Sequence, residues 1–381
     1  MITTSAWLKD ENGFWNQKGE KSTGCTEKNG KSIQSADQNL KKERKRMKGI
    51  SNEKILPVCF DQTIRSQGLL AFCISLLAHH PQFEHWYYTD HTTTAFINMP
   101  HEYQYVFISQ YGDLCALLEH EDYHAESGCD GWPMLEMMKN RIDEGYYIFA
   151  ETNEKYIPDT RSWHTGKDFT HTQLVYGYSD VDRVLYCAYY NKLRQYVSRP
   201  VKYEEMIRAI ETSAPRQPYK FYRYRDVEYP LFWKQIVYDF LSYFDNHDVE
   251  LLEIPGVIRS PGESGVKRLQ ECLRNSYENQ WFDARAIGTY RENKQVILDK
   301  LGYLQSQGLR WPDGVVERYA NVSDRAGMVL SLYLKYEITL DVGLIDRMIS
   351  HMDWILEEER VLYPLIGNCI EEFRVDRQFP Y

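Results

Sequence analysis

An α+β domain followed by an all-α domain is what this sequence predicts, on three observations. The segment "SQGLLAFCISLLAHH" carries apolar residues on nearly every side, as a buried helix does. Later in the same half comes a succession of β-branched and aromatic runs separated by turn residues, the pattern of antiparallel strands. From about residue 226 apolar residues recur at three- and four-residue intervals, the period of helices. The boundaries read as a flexible basic leader over 1–54, an α+β domain over 55–222 and a helical domain over 223–381.

Taken in order, the leader holds "GEKSTGCTEKNGKSIQSADQ", where Gly, Ser, Lys, Asn and Gln dominate and no apolar period survives. Folded structure is expected to start near "ILPVCF". The buried helix should stop before Pro81, because a proline disfavours the helical conformation of the residue ahead of it. "WYYTDHTTTAFINM" and "YQYVFISQYG" read as strands, and "GWPMLEMMKNRIDEG" as a helix closed by Gly145. "YYIFAETNEKYI" and "THTQLVYGYSD" are further strands, with Gly177 allowing a tight turn. "RVLYCAYYNKLRQYVSRPV" reads as two strands around "NKL", and "KYEEMIRAIE" as a short helix. In the second half "IPGVIRSPGESG" and "QGLRWPDG" interrupt the helical periodicity.

At 381 residues the chain has room for two domains, and its net charge of −10 argues against nucleic acid, whose phosphates require a basic face. One basic island stands apart, "KKERKRMK" at 41–48. Residues 1–55 hold 12 Lys and Arg against 7 Asp and Glu, a charge of +5 that leaves −15 on the remainder. Such a run reads as a solvated tail or helix. No apolar run reaches membrane-spanning length and no signal peptide opens the chain, so a cytoplasmic protein without a membrane partner is expected. The eight cysteines, at 25, 59, 73, 115, 129, 187, 272 and 369, form no CxxC pair and read as reduced thiols.

His171 opens one strand-like run and Asn191 closes the next, 20 residues on. Neighbouring antiparallel strands can hold a base and the group that orients it in register, the arrangement a thiol or hydroxyl enzyme requires. Elsewhere "HEDYH" places His120 and His124 four apart, the spacing of zinc ligands on a helix, with Glu121 beside them. The segment lacks the HExxH order and a clear third ligand beyond Cys129 or Glu126, so it reads as an exposed polar stretch. His79 and His80 read as a helix end. No metal and no cofactor is expected.

The order of a helix near the domain start, "LEMMKNRIDEGYYIFAETNEKYIPDT" ahead of "FTHTQLVYGYSD", and a trailing helical domain resembles the butirosin biosynthesis protein H-like family. These are papain-like proteins of peptide and aminoglycoside antibiotic clusters, distantly similar to bacteriocin-processing cysteine peptidases. The resemblance covers residues 55 to about 365. It implies a papain-like first domain and acyl transfer from a carrier-protein thioester through a Cys-His-Asp/Asn arrangement. It carries the base onto His171 and the orienting role onto Asn191, where an Asp at the position of Tyr190 is the more familiar pattern. Asp180 and Asp182 are turn-borne substitutes for that third member.

In the papain-like arrangement the nucleophile sits at the start of the buried helix, where the dipole lowers its pKa, and a Gln six residues earlier helps hold the oxyanion. Here Gln62 is present, and the residue six positions on is Gly68. Cys73 lies five residues deeper, Cys59 precedes the helix, and Ser66 stands at its entrance. Two expectations follow for the same pathway: acyl or peptidyl transfer or hydrolysis on a carrier-protein thioester, or a degenerate binding or scaffolding protein that has lost the nucleophile. A cysteine peptidase acting on a peptide substrate is a third.

Overall fold

The computed structural model describes residues 53–379, with breaks at 91–92, 100–101, 108–115, 126–127, 215–216, 246–248, 251–256 and 280–281, together with two short strands nearer the N-terminus. Those strands, β1 (Trp7–Lys9) and β2 (Trp15–Gln17), pair antiparallel inside the segment read as a flexible basic leader. The basic island at 41–48 lies outside the described residues.

The protein is a mixed α/β structure of antiparallel sheets with a helical C-terminal region. The larger sheet contains β3 (Glu53–Ile55), β6 (Leu118–Tyr123), β7 (Tyr147–Asn153), β8 (Thr170–Ser179), β9 (Val184–Tyr190), β10 (Tyr196–Lys202) and β11 (Tyr219–Tyr224). Its order is β10-β9-β8-β7-β11-β6, with β3 on the far half of β8. The buried helix is α1 (Gly68–Leu77), where eight of ten residues are buried. It lies on one sheet face, with Phe72 against Phe149 of β7 at 5.5 Å. Helix α3 (Gly131–Asp143) lies on the other face, where the Tyr178 hydroxyl donates to Asp143 at 2.8 Å. Asp130 caps α3 by accepting from the Trp132 amide, and Gly145 follows its end at φ +90°. Beside α3 on the same face packs α5 (Tyr203–Glu211), which also touches β7, β9 and β10, and a single turn, α4 (Arg161–Thr165), precedes β8.

Two expectations fail locally, and a third segment, which does interrupt the helices as expected, carries a strand of its own. "WYYTD" belongs to a helix, α2 (Phe83–Asp90), whose Phe83 and Tyr87 rings stack one turn apart at 5.1 Å while Trp86 is fully buried. Aromatic richness imitated a strand there. Gly177 makes no turn. It follows a bulge inside β8, where β3 crosses so closely that a Cβ would meet the Lys54 carbonyl oxygen at 2.9 Å. Gly177→Ala is therefore expected to cost about 1–3 kcal/mol, read as a lowered urea midpoint at unchanged slope. Finally, "IPGVIRSPGESG" contains a strand, β13 (Ile258–Pro261).

The second sheet follows from that strand. It has the order β12 (Val249–Glu250), β13, β4 (Thr94–Met99), β5 (Glu102–Phe107), all antiparallel. The β4–β5 hairpin comes from the first half of the chain, yet its Phe96 and Tyr105 are buried in the core of the C-terminal helices. Those helices are α6 (Trp233–Leu241), α7 (Gly262–Asn279), α8 (Arg285–Ser306), α9 (Val315–Thr339) and α10 (Gly343–Asp376). Their core encloses Lys294 and Glu359, both fully buried, 2.9 Å apart. No helix among the described residues is long and apolar enough to cross a membrane.

Candidate functional site

The helix entrance is where the sequence leads one to look for a nucleophile. Helix α1 begins at Gly68, and a Cβ there would lie 3.5 Å from the Tyr190 ring. Tyr190 also donates its hydroxyl to the Arg65 carbonyl at 2.6 Å, tying β9 to the entrance. From the other side α8 closes over it. Glu292 accepts from the Arg65 amide at 3.0 Å, from the Ser66 amide at 3.1 Å and from the Ser66 hydroxyl at 2.5 Å. Thr289 lies 2.8 Å from the same hydroxyl and accepts from the Gln67 side chain at 3.2 Å. The Glu292 carboxyl thus stands just before the helix N-terminus, the position that favours an anion. Burial pushes the Glu292 carboxyl up to about 7 against the pull of these donors.

Gln62, the oxyanion candidate, is drawn along α1. Its amide nitrogen donates to the Ala71 carbonyl at 3.0 Å and the Ser75 hydroxyl at 2.7 Å. Cys59 sits in the loop beside the same turn, its amide bonded to the Ser75 carbonyl at 2.9 Å.

His171 is half-exposed and its Nδ1 lies 3.1 Å from the carboxylate of Glu154, which is buried. This is the pairing that orients a catalytic imidazole, but it faces the wrong way for α1. Thr172 lines a cavity with Cys73 on the α1 side, and side chains alternate along a strand, so His171 projects to the opposite sheet face. Its ring stacks on Phe169, two residues back, at 5.6 Å. No hydrogen bond reaches its Nε2 among the described residues.

Asn191 does not orient it either. The Asn191 side chain accepts from the Leu193 and Gln195 amides and donates to the Gln195 side chain, shaping the β9–β10 turn. Asp180 and Asp182 are likewise committed, Asp180 to Lys139 and Tyr203, and Asp182 to Ser179. His120 stands on an extended strand rather than a helix, where residues four apart lie roughly 13 Å from each other. His124 lies past the strand end, and among the described residues no three metal-ligating side chains come together.

What the fold does assemble is a cavity of about 100 Å³ between α1 and the sheet. Cys73 and Leu69 line it from the helix, Phe149, Glu151 and Thr172 from β7 and β8, and Lys220 and Tyr222 from β11. The register explains the grouping: Lys220 pairs with Phe149 and Glu151 with Thr172, so all four face α1. Glu151 is only 7% exposed and accepts the Thr172 hydroxyl at 2.5 Å. Sequence reasoning reached Cys73 and missed its neighbours, although Glu151 is legible as an acid in the middle of an otherwise buried strand, "YIFAETN".

Compared with known proteins, the chain matches no family model and no curated protein sequence.

Proposed function

We propose that this chain is a degenerate papain-like protein that serves a carrier-protein-dependent biosynthetic pathway by binding, without thiol catalysis. The observation that carries the reading is the closed helix entrance: Gly68 stands where a nucleophile is required, and Glu292 occupies the electropositive ground in front of it. His171 on the far sheet face supports the same conclusion, since a base must reach its nucleophile within hydrogen-bonding distance. A buried helix lying on an antiparallel sheet supports the papain-like part. The carrier protein and the pathway rest on the resemblance of the sequence segments alone.

Acyl transfer through a displaced thiol is the second reading, favoured by Cys73 facing a cavity that also holds Lys220. Intact-mass measurement after incubation with acyl-pantetheine thioesters separates the two. The expected result is no acyl adduct on any cysteine and thioester loss at the buffer rate. A stoichiometric adduct on Cys73, absent from Cys73→Ser, would overturn the binding reading.

A further inference from the structure

We infer that the cavity beneath α1 is a binding site for a small zwitterion of the α-amino-acid class, an assignment that rests on the reading of the chain as a binding protein. The argument begins with two opposite charges that do not meet. Glu151 and Lys220 are diagonal neighbours across β7 and β11, which puts them roughly 7–8 Å apart along the sheet. Glu151 is more than nine-tenths buried, and its carboxylate takes one hydrogen bond, from Thr172 to Oε1. Its Oε2 takes none among the described residues, and Lys220 makes neither ion pair nor hydrogen bond among them.

A carboxylate that takes one protein donor and opens on a cavity has room there to accept from a cation or from further donors. A ligand carrying both charges satisfies the two groups together: its ammonium donates to Glu151 and its carboxylate accepts from Lys220. Each simpler class fails one of them. An anion meets Lys220 but is repelled by Glu151, a cation does the reverse, and a neutral molecule leaves both charges unpaired. Size sets a further limit. A single water requires roughly 10–15 Å³ of such space, so a cavity of about 100 Å³ takes a molecule of several heavy atoms. Leu69, Pro218 and Tyr222 offer apolar wall to a short side chain.

Calorimetric titration of the full chain at pH 7 tests this with L-alanine, L-serine, acetate, ethylammonium chloride and N-acetyl-L-alanine amide. Saturable binding is expected for the two amino acids and not for the three single-feature probes. Lys220→Met, on a half-buried side chain, should weaken alanine binding by roughly tenfold or more while leaving the ligand-free melting temperature unchanged. Acetate binding as tightly as alanine, alanine binding unaltered by Lys220→Met, or no saturable binding of either amino acid would each overturn the assignment. A cysteine acyl adduct would instead overturn the binding reading beneath it, so the two failures are separable.

Discussion

Lys294→Met is expected to destabilise the protein by about 3–5 kcal/mol, the largest effect of any single substitution proposed for it. Lys294 and Glu359 are both fully buried in the helical core, with Nζ 2.9 Å from Oε1. Glu359 also accepts the Tyr319 and Tyr363 hydroxyls, each at 2.8 Å, and the Lys294 ammonium sits 5.2 Å from the Tyr290 ring centre and 5.4 Å from that of Tyr243. Removing the lysine leaves a carboxylate that water cannot reach, surrounded by tyrosines. The burial and the nearby carboxylate hold the Tyr319 and Tyr363 hydroxyls well above the ordinary tyrosine range, so they stay protonated as donors. Adding Glu359→Gln to Lys294→Met removes the orphaned charge and should recover most of the loss. Urea unfolding of the two variants decides the point, and a single variant as stable as the parent would refute it.

The second large effect is a pH dependence centred on Glu292. Its carboxyl is pushed from an ordinary 4.5 to about 7, chiefly by burial. The folded state therefore holds a proton between pH 4.5 and 7 that the unfolded chain has released, and stability contributed by this group falls as pH rises through that window. The shift corresponds to about 3 kcal/mol, fully present below pH 4.5 and gone above pH 7. Glu292→Gln, which carries no titrating proton, should lack this component. The difference in unfolding free energy between parent and variant, measured in urea at pH 5 and pH 8, should thus move in the variant's favour by most of that amount at the higher pH. Identical slopes with pH for the two proteins would show that the carboxylate is ionised throughout.

Much of the scaffold was legible in the sequence, because local pattern and tertiary burial agree there. The apolar run from Gly68 to Leu77 is a buried helix, "NKL" joins two paired strands, and periodicity after residue 226 marks helices. Misreadings came where two local signals conflict. Trp86, Tyr87 and Tyr88 have strand-like propensity, but their burial follows helical spacing. Glycine at 177 permits a turn, while the close passage of β3 demands a residue without a side chain in a continuing strand. The candidate site was harder, since its decisive partners come from distant parts of the chain. Glu292 reaches Ser66 across 226 residues, and nothing near either residue announces the other. His171 and Cys73 were each visible, but which sheet face each occupies depends on strand register, which only the assembled sheet displays.

The hairpin that β4 and β5 form has a consequence for how the chain comes off the ribosome. The residue opposite Asn98 in the neighbouring strand is Ile258, 160 residues later by their numbers. At roughly 5–20 residues per second the free edge of β4 waits some ten to thirty seconds for its covering strand, and the rings of Phe96 and Tyr105 wait longer for the helices that follow it. During that interval the nascent protein carries an open sheet edge beside an apolar face, the combination that recruits chaperones or neighbouring chains. The hairpin thereby makes completion of the first half conditional on synthesis of the second.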